Sequence, residues 1–397
     1  MNRKPKLRFK GFIEDWEERK LGEIGKYITS QLSASDIDRF GKFDLYDANN
    51  VIGKTNKNII REKYITIIKD GSGVGKVRLL NKNTSFIGTM GGILSSNSDV
   101  YFLYCILQNF DFTNYINGAT IPHIYYSDYS KGEVKQPIID EQSKIGSFFY
   151  QLDKLITSQQ SKYDKLLNVK KSMLEKMFPK EYSKVPEIRF KGFTDKWEER
   201  KLEEVFNMSI SNNTLSRSEL TYENGEVYNI HYGDILVNYG SIINLKRDIL
   251  PFIKDSTSEL YKNQMLYNGD IIFADTAEDE TVGKAVEITD VEEKIVVSGL
   301  HTIVCRPFEK KAKYYLGYYL NSNSFHNQLL PLMQGIKVLS LSKSNLLKTI
   351  VQYPKLLEEQ QKIGSFFHQL DRLITLHKQK LEKLKSIKKS CLEKMFV

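Results

Sequence analysis

The sequence predicts an α+β protein: two mixed α/β domains and two long, near-identical helices that pair in a coiled coil, a pseudo-twofold arrangement made by internal duplication. Three observations predict it. First, blocks of the chain return. "PKLRFKGFIEDWEERKL" at 5–21 reappears as "PEIRFKGFTDKWEERKL" at 186–202, and 141–178 reappears as 359–396, identical at 25 of 38 positions. Chance does not do that, so the chain is duplicated. Second, the longer repeated block carries apolar residues at heptad spacing. Third, the stretches between the blocks differ in sequence and length but share short β-rich runs between turn signals.

The heptad ladder reads Ile145, Phe149, Leu152, Ile156, Tyr163, Leu166, Met173 and Met177 in the first copy. In the second it reads Ile363, Phe367, Leu370, Ile374, Leu381, Leu384, Cys391 and Met395. Alternating steps of four and three predict a long helix with a coiled-coil seam. At ~1.5 Å per residue, some 33 residues make a helix of roughly 50 Å. Two steps are polar in each copy, Gln159 and Lys170, then His377 and Lys388. Gln159 and His377 read as register markers in the seam. The flanking lysines, Lys162, Lys165, Lys171 and Lys176 among them, read as a solvated face.

In the inserts, "KYITIIKD", "DIIFADT", "KAVEITD" and "KIVVSGLHTIVCRP" read as strands. The segments 100–110 and 314–330 read as amphipathic helices whose Tyr and Phe residues are core. Trp16 and Trp197 sit in the near-identical blocks of otherwise diverging halves, which marks them as architectural. The run "KDGSGVGKV" at 69–77 invites comparison with a phosphate-binding loop, and the comparison fails. Asp70 stands where the first glycine is required, and Val77 replaces the magnesium-binding hydroxyl. Its Gly75-Lys76 aligns with Gly283-Lys284 in "DTAEDETVGKAV", so the halves share one Gly-Lys turn rather than a phosphate cradle.

With 41% hydrophobic and 12% aromatic residues, disorder is excluded as the default. A net charge of +9 points to a polyanionic partner, nucleic acid before membrane. Cys105, Cys305 and Cys391 are odd in number and far apart, which offers neither a disulfide framework nor a zinc cluster and suits the cytoplasm. No signal-peptide pattern and no membrane-spanning apolar stretch is present. Metal-ligand spacing, a GxSxG elbow, a Walker pair and an Asn/Asp-Pro-Pro-aromatic methylation motif are also missing. The carboxylates Asp275, Glu278, Asp279 and Glu280 have no counterpart cluster in the first half, which argues against a nuclease site.

Taken together, the order of the blocks resembles that of the specificity (S) subunits of type I restriction–modification systems. The pieces that carry the resemblance are "DEQSKIG" and "EEQQKIG", "FFYQLDKLIT" and "FFHQLDRLIT", "LEKMF" twice, and "WEERKL" opening each domain. It implies target-recognition domains at 1–140 and 185–357, with the helical blocks at 141–184 (helix and linker) and 358–397 forming an antiparallel coiled coil. It also implies a bipartite double-stranded DNA target, one half-site per domain, with the helices setting the unread gap. The chain would have no chemistry of its own. It would recruit two modification subunits that methylate adenine with S-adenosylmethionine, and two restriction subunits that translocate and cut with ATP and magnesium.

The family pattern does not fix contact residues, so those are chosen by chemistry on the loops at 117–137 and 333–354 and the Gly-Lys turns. They are Lys76, Arg78, Thr120, His123 and Tyr125 in the first domain, and Lys284, His301, Lys337, Ser340 and Ser342 in the second. The first domain is shorter and lacks a match to "YKNQMLYNGDIIF". The competing readings are a coiled-coil scaffold, which leaves the divergent inserts without a purpose, and a stand-alone methyltransferase or nuclease, which lacks its motifs.

Overall fold

The computed structural model describes residues 4–118, 120–180 and 183–397. The chain forms two compact units, Met1–Ser161 with His377–Val397, and Lys162–Leu376. In chain order the first insert gives β1 (Glu17–Lys20), α1 (Leu21–Ile24), β2 (Gly25–Ile28), β3 (Phe43–Tyr46), β4 (Val51–Thr55), β5 (Tyr64–Ile68) and β6 (Val77–Leu80). Then come β7 (Thr84–Phe86), β8 (Met90–Ser95), α2 (Val100–Asn109), α3 (Tyr126–Tyr129), β9 (Glu133–Gln136) and the long α4 (Ile139–Lys176).

The second insert gives β10 (Glu198–Lys201), α5 (Leu202–Val205), β11 (Phe206–Asn207), β12 (Leu220–Thr221), β13 (Val227–Ile230), α6 (Tyr232–Val237) and β14 (Ile242–Asn244). Next are β15 (Phe252–Ile253), β16 (Ile271–Ala274), β17 (Thr276–Ala277), β18 (Ala285–Thr289), β19 (Ile295–Ser298) and β20 (Thr302–Pro307). The chain closes with α7 (Tyr315–Tyr319), α8 (Asn323–His326), β21 (Leu339–Ser340), α9 (Lys343–Leu346), β22 (Ile350–Tyr353) and α10 (Leu357–Met395).

The two inserts share a plan. In the first, β2-β8-β5-β6 form an antiparallel sheet, β4-β3-β7 a mixed one in which β3 and β7 run parallel, and β1 pairs with β9. In the second, the corresponding orders are β11-β20-β16-β18-β14 and β12-β15-β13-β19, and β10 pairs with β22. The central strands β5 and β16 are buried at every residue, as "YITII" and "IIFA" require when both faces of a strand are covered. Part of the second insert's extra length is α6 and β14, the latter added in parallel along β18. The helix expected over 314–330 is instead two short ones. Asn321 Nδ2 donates to Gly317 O and, across to β18, to Ala285 O, and Ser322 Oγ donates to Tyr319 O, so side chains take the Gly317 and Tyr319 carbonyls that a continuing helix would use.

Each unit fastens the long helices with the same three contacts. Arg8 forks onto Glu141 at 2.7 Å through both nitrogens, and Arg189 onto Glu359 at 2.7 and 2.8 Å. Tyr101 donates to Asp153 at 2.7 Å, and Tyr318 to Asp371 at 2.8 Å. Lys388 pairs with Asp153 and Lys170 with Asp371, so the polar steps of the ladder are ion-paired between the helices. Gln159 Nε2 donates to His377 O at 3.2 Å and also meets the imidazole. In the first unit 153 thus lies beside 388 and 159 beside 377, an antiparallel pairing.

Ile145, Phe149, Leu152, Ile363, Phe367, Leu370, Leu381 and Met395 are buried, as is Met177 just past the end of α4. Ile156, Tyr163, Leu166, Met173, Ile374, Leu384 and Cys391 are half-buried. Leu381 apart, the buried positions lie towards the helix ends, where the helices join the α/β cores. Phe396 stacks on Phe102 and meets Trp16 and Phe149, and Phe178 stacks on Phe367 beside Trp197 and Tyr315.

One buried acid makes the second unit sensitive to pH. Glu287 on β18 accepts from Tyr314 N at 2.6 Å and Gly317 N at 2.9 Å, holding the start of α7. Burial pushes its carboxyl up from 4.5 to about 7, against the pull of those two bonds. An acid raised in the folded state keeps a proton that the unfolded chain has already released. The stability of this unit is therefore expected to fall as pH rises from about 4.5 to about 7, by a few kcal/mol. In a denaturation series, Glu287→Gln should flatten that slope; an unchanged slope would assign the titration to another group.

Candidate nucleic-acid interface

Two loops of each unit position the polar side chains that chemistry singles out. The first is the Gly-Lys turn. In the first unit Gly75 N donates to Ile68 O at 2.9 Å and Ile68 N to Lys76 O at 3.0 Å; in the second Gly283 N donates to Ala274 O at 2.8 Å and Ala274 N to Lys284 O at 2.9 Å. Gly75 and Gly283 both have φ of 82°, and a Cβ would come within 2.9 Å of Phe112 or 2.5 Å of Leu329. Both the backbone conformation and the close approach demand glycine.

The lysine after it does different work in each unit. Lys76 is exposed, at the edge of an open cleft of about 710 Å³ that Arg78, Thr66, Met90 and Phe112 also line. Lys284 is half-buried and donates to Leu236 O at 3.0 Å and Tyr239 O at 2.7 Å, closing the end of α6. Burial lowers the pKa of its ammonium. Arg78 is likewise engaged: it donates to Ala48 O and Asn49 O and lies over the Tyr46 ring at 6.0 Å.

The second loop is a short hairpin. Asn117 and His123 exchange backbone hydrogen bonds of 2.8 Å, and Gln334 and Ser340 exchange bonds of 3.0 and 2.8 Å. The stems are tied to the Gly-Lys strand in both units, by Ile124 N to Lys69 O at 2.9 Å and Leu341 N to Asp275 O at 2.8 Å. Ile124 and Leu341 are buried anchors, and Gly118 and Gly335 take φ of 86° and 123° just past the first stem residue. The short helices α3 and α9 follow, then β9 and β22.

Six of the ten chosen contact residues fall on or directly after these two hairpins: Thr120, His123 and Tyr125, then Lys337, Ser340 and Ser342. His123 meets the edge of the Tyr125 ring at 4.9 Å. Ser340 Oγ donates to Gln334 O at 3.3 Å, and Ser342 Oγ caps α9 by accepting from Asn345 N at 3.1 Å. Tyr125 holds the same cap position before α3. His301 has φ of 54° and sits 3.2 Å from the Asp275 carboxylate and 3.3 Å from Thr276 Oγ1. Thr276 pairs in turn with Ser340, so His301 and the second hairpin belong to one surface.

Neither hairpin, 117–123 nor 334–340, carries a carboxylate. What they present is hydroxyl, imidazole and ammonium groups on a fixed backbone, suited to phosphates and base edges. Sequence reasoning passed over Ile121, Ile336 and Val338, the exposed apolar residues at the tips, because an apolar residue in a loop reads as core. The available signal was Gly118 and Gly335, which precede the repeated helical block at the same distance to within one residue. Among the described residues, no group of His, Cys, Asp and Glu is placed to hold a metal ion, and no helix is long and apolar enough to cross a membrane.

The family model for the type I restriction modification DNA specificity domain matches this chain twice, at residues 13–168 and 194–386. The specificity subunit of the type I restriction enzyme MjaVIII of Methanocaldococcus jannaschii is 25% identical over 401 residues, spanning 95% of this chain and 91% of that protein. A putative type I restriction enzyme MjaX specificity subunit of the same organism is 28% identical over 163 residues, 39% of this chain and 37% of that one. The crystal structure of the S subunit of a type I restriction–modification system from M. genitalium has the same fold, with a TM-score of 0.63 at 19% identity over 99% of both chains. With two matches to the family's domain, one on each half of the duplication, the chain belongs to the specificity subunits of type I restriction–modification systems.

Proposed function

We propose that the chain reads a bipartite double-stranded DNA target, the domain at 1–140 reading one half-site and the domain at 185–357 the other. The observation that carries this reading is the shared hairpin with unlike side chains. Both units hold the same stem on the same strand, yet the closing stem residue and the helix cap after it are His123 and Tyr125 in one and Ser340 and Ser342 in the other. One docking geometry with two sets of side chains suits a target with two different halves.

The helical blocks set the unread gap and dock two modification subunits, adenine methyltransferases, and through them two restriction subunits. At ~1.5 Å per residue the 38 residues of α4 extend roughly 57 Å, more than one ~34 Å turn of B-DNA. The chain does no catalysis in this reading. S-adenosylmethionine, ATP and magnesium are bound by the partner subunits, and the assembly works in the cytoplasm.

The test is a genome-wide map of adenine methylation with and without the gene, then with one insert exchanged for that of another specificity subunit. The expected result is a split motif that vanishes on deletion and changes in one half only on exchange. A motif whose halves change together would rule out one reader per half-site.

A further inference from the structure

The tip of the second hairpin, 335–339, carries Ile336 and Val338, 99% and 50% exposed, on either side of the exposed Lys337. In the first hairpin Ile121 is 66% exposed. A lone exposed apolar side chain needs no explanation. Here, however, two of them crown a backbone closed by the Gln334–Ser340 bond pair and tied to β17. They are therefore presented to solvent by a fixed scaffold.

The stems of the two hairpins are alike, while the tips, "GATIP" and "GIKVL", share only the glycine. A protein bound in the same way by both units would favour the same tip twice. Two different DNA half-sites would not. Lys337 supplies a cation and neither tip opposes it with a carboxylate. The major groove, ~12 Å wide, admits a two-stranded ribbon, and the apolar feature it offers is the C5-methyl of thymine.

We propose that Ile336 and Val338 read the second half-site by apolar contact with thymine methyl groups in the major groove, with Lys337 at the phosphates. This rests on the second domain being the reader of one half-site. Because the modified base in that reading is adenine, each half-site holds at least one A·T pair and so at least one thymine.

The test uses the full chain assembled with its modification subunits, and duplexes in which each thymine of the second half-site is replaced in turn by uracil, which removes only the methyl group. The wild-type complex is expected to lose about threefold to fivefold in affinity at one or more positions, the effect of one buried methyl. The variant Ile336→Ala with Val338→Ala is expected to bind the thymine and uracil duplexes equally, and uracils in the first half-site should affect both proteins alike. A wild-type complex indifferent to every uracil, or a variant that keeps the full uracil penalty, overturns the proposal. So does a variant that sheds its modification subunits on size exclusion, since the tip is then a protein contact. A wild-type complex that selects no split target would instead sink the half-site reading on which the proposal rests.

Discussion

Replacing Glu359 with alanine is expected to destabilise the second unit by about 3–5 kcal/mol, the cost of leaving one partner of a buried ion pair uncompensated. Glu359 is almost wholly buried in the first turn of α10, where it accepts two bonds from Arg189 and a third, at 3.3 Å, from Trp197 Nε1. Arg189 is itself mostly shielded, so water does not replace the lost carboxylate. Glu141→Ala in the first unit should cost less, because Glu141 holds Arg8 without a third donor: Trp16 Nε1 has no partner among the described residues.

The chain has two tryptophans, one buried in each unit, so the comparison is readable. In a Trp16→Phe background, denaturant unfolding followed by Trp197 fluorescence reports the second unit alone. The double variant Arg189→Met with Glu359→Met should recover most of the loss, since an apolar pair removes the desolvation penalty along with the attraction. A loss below about 1 kcal/mol for Glu359→Ala would mean that the pair behaves as a solvated surface contact.

This clamp shows what a sequence exposes and what it hides. The repeat, the heptad ladder and the strands of the inserts are legible because duplication and periodicity are local properties of the string. That Arg8 and Arg189 clamp a glutamate in the first turn of a long helix is not legible: their partners are 133 and 170 residues away. The Gly-Lys turn is legible, since its glycine is required by its own φ. The different duties of Lys76 and Lys284 are not, because α6 and the residues just after it, without a counterpart among the described residues of the first insert, supply the Leu236 and Tyr239 carbonyls that engage Lys284. The hairpins fall between these cases. Their polar residues stand out by chemistry, but their equivalence rests on bonds to Lys69 O and Asp275 O and on a single shared glycine, too little for alignment to find.

That glycine gives the second large effect. Gly335→Ala is expected to reduce methylation of the split target at least about tenfold, while moving the unfolding of the second unit by no more than about 1 kcal/mol. Its φ of 123° is one that side-chain-bearing residues rarely adopt, and an added Cβ would stand 1.9 Å from Val338 O, across the tip of its own hairpin. The tip has to open to admit it. Its neighbours Ile336 and Lys337 are exposed, so the core loses little when it does. Gly118→Ala should act in the same way on the other half-site, with the Cβ meeting Ile121 O at 2.5 Å. The control is Gly269→Ala, which has a φ of 91° but nothing within 4 Å of its Cβ, so it carries the backbone strain of about 1 kcal/mol without disturbing a hairpin. Methylation by the assembled complex, measured beside unfolding of the same variants, separates the outcomes. If Gly335→Ala methylates as well as Gly269→Ala, the shape of the hairpin tip does not matter for recognition. If both fail equally, strain in the fold rather than the tip is responsible. Loss with Gly335→Ala and Gly118→Ala alone would put recognition at the two tips, since those two glycines alone among the three hold a hairpin closed.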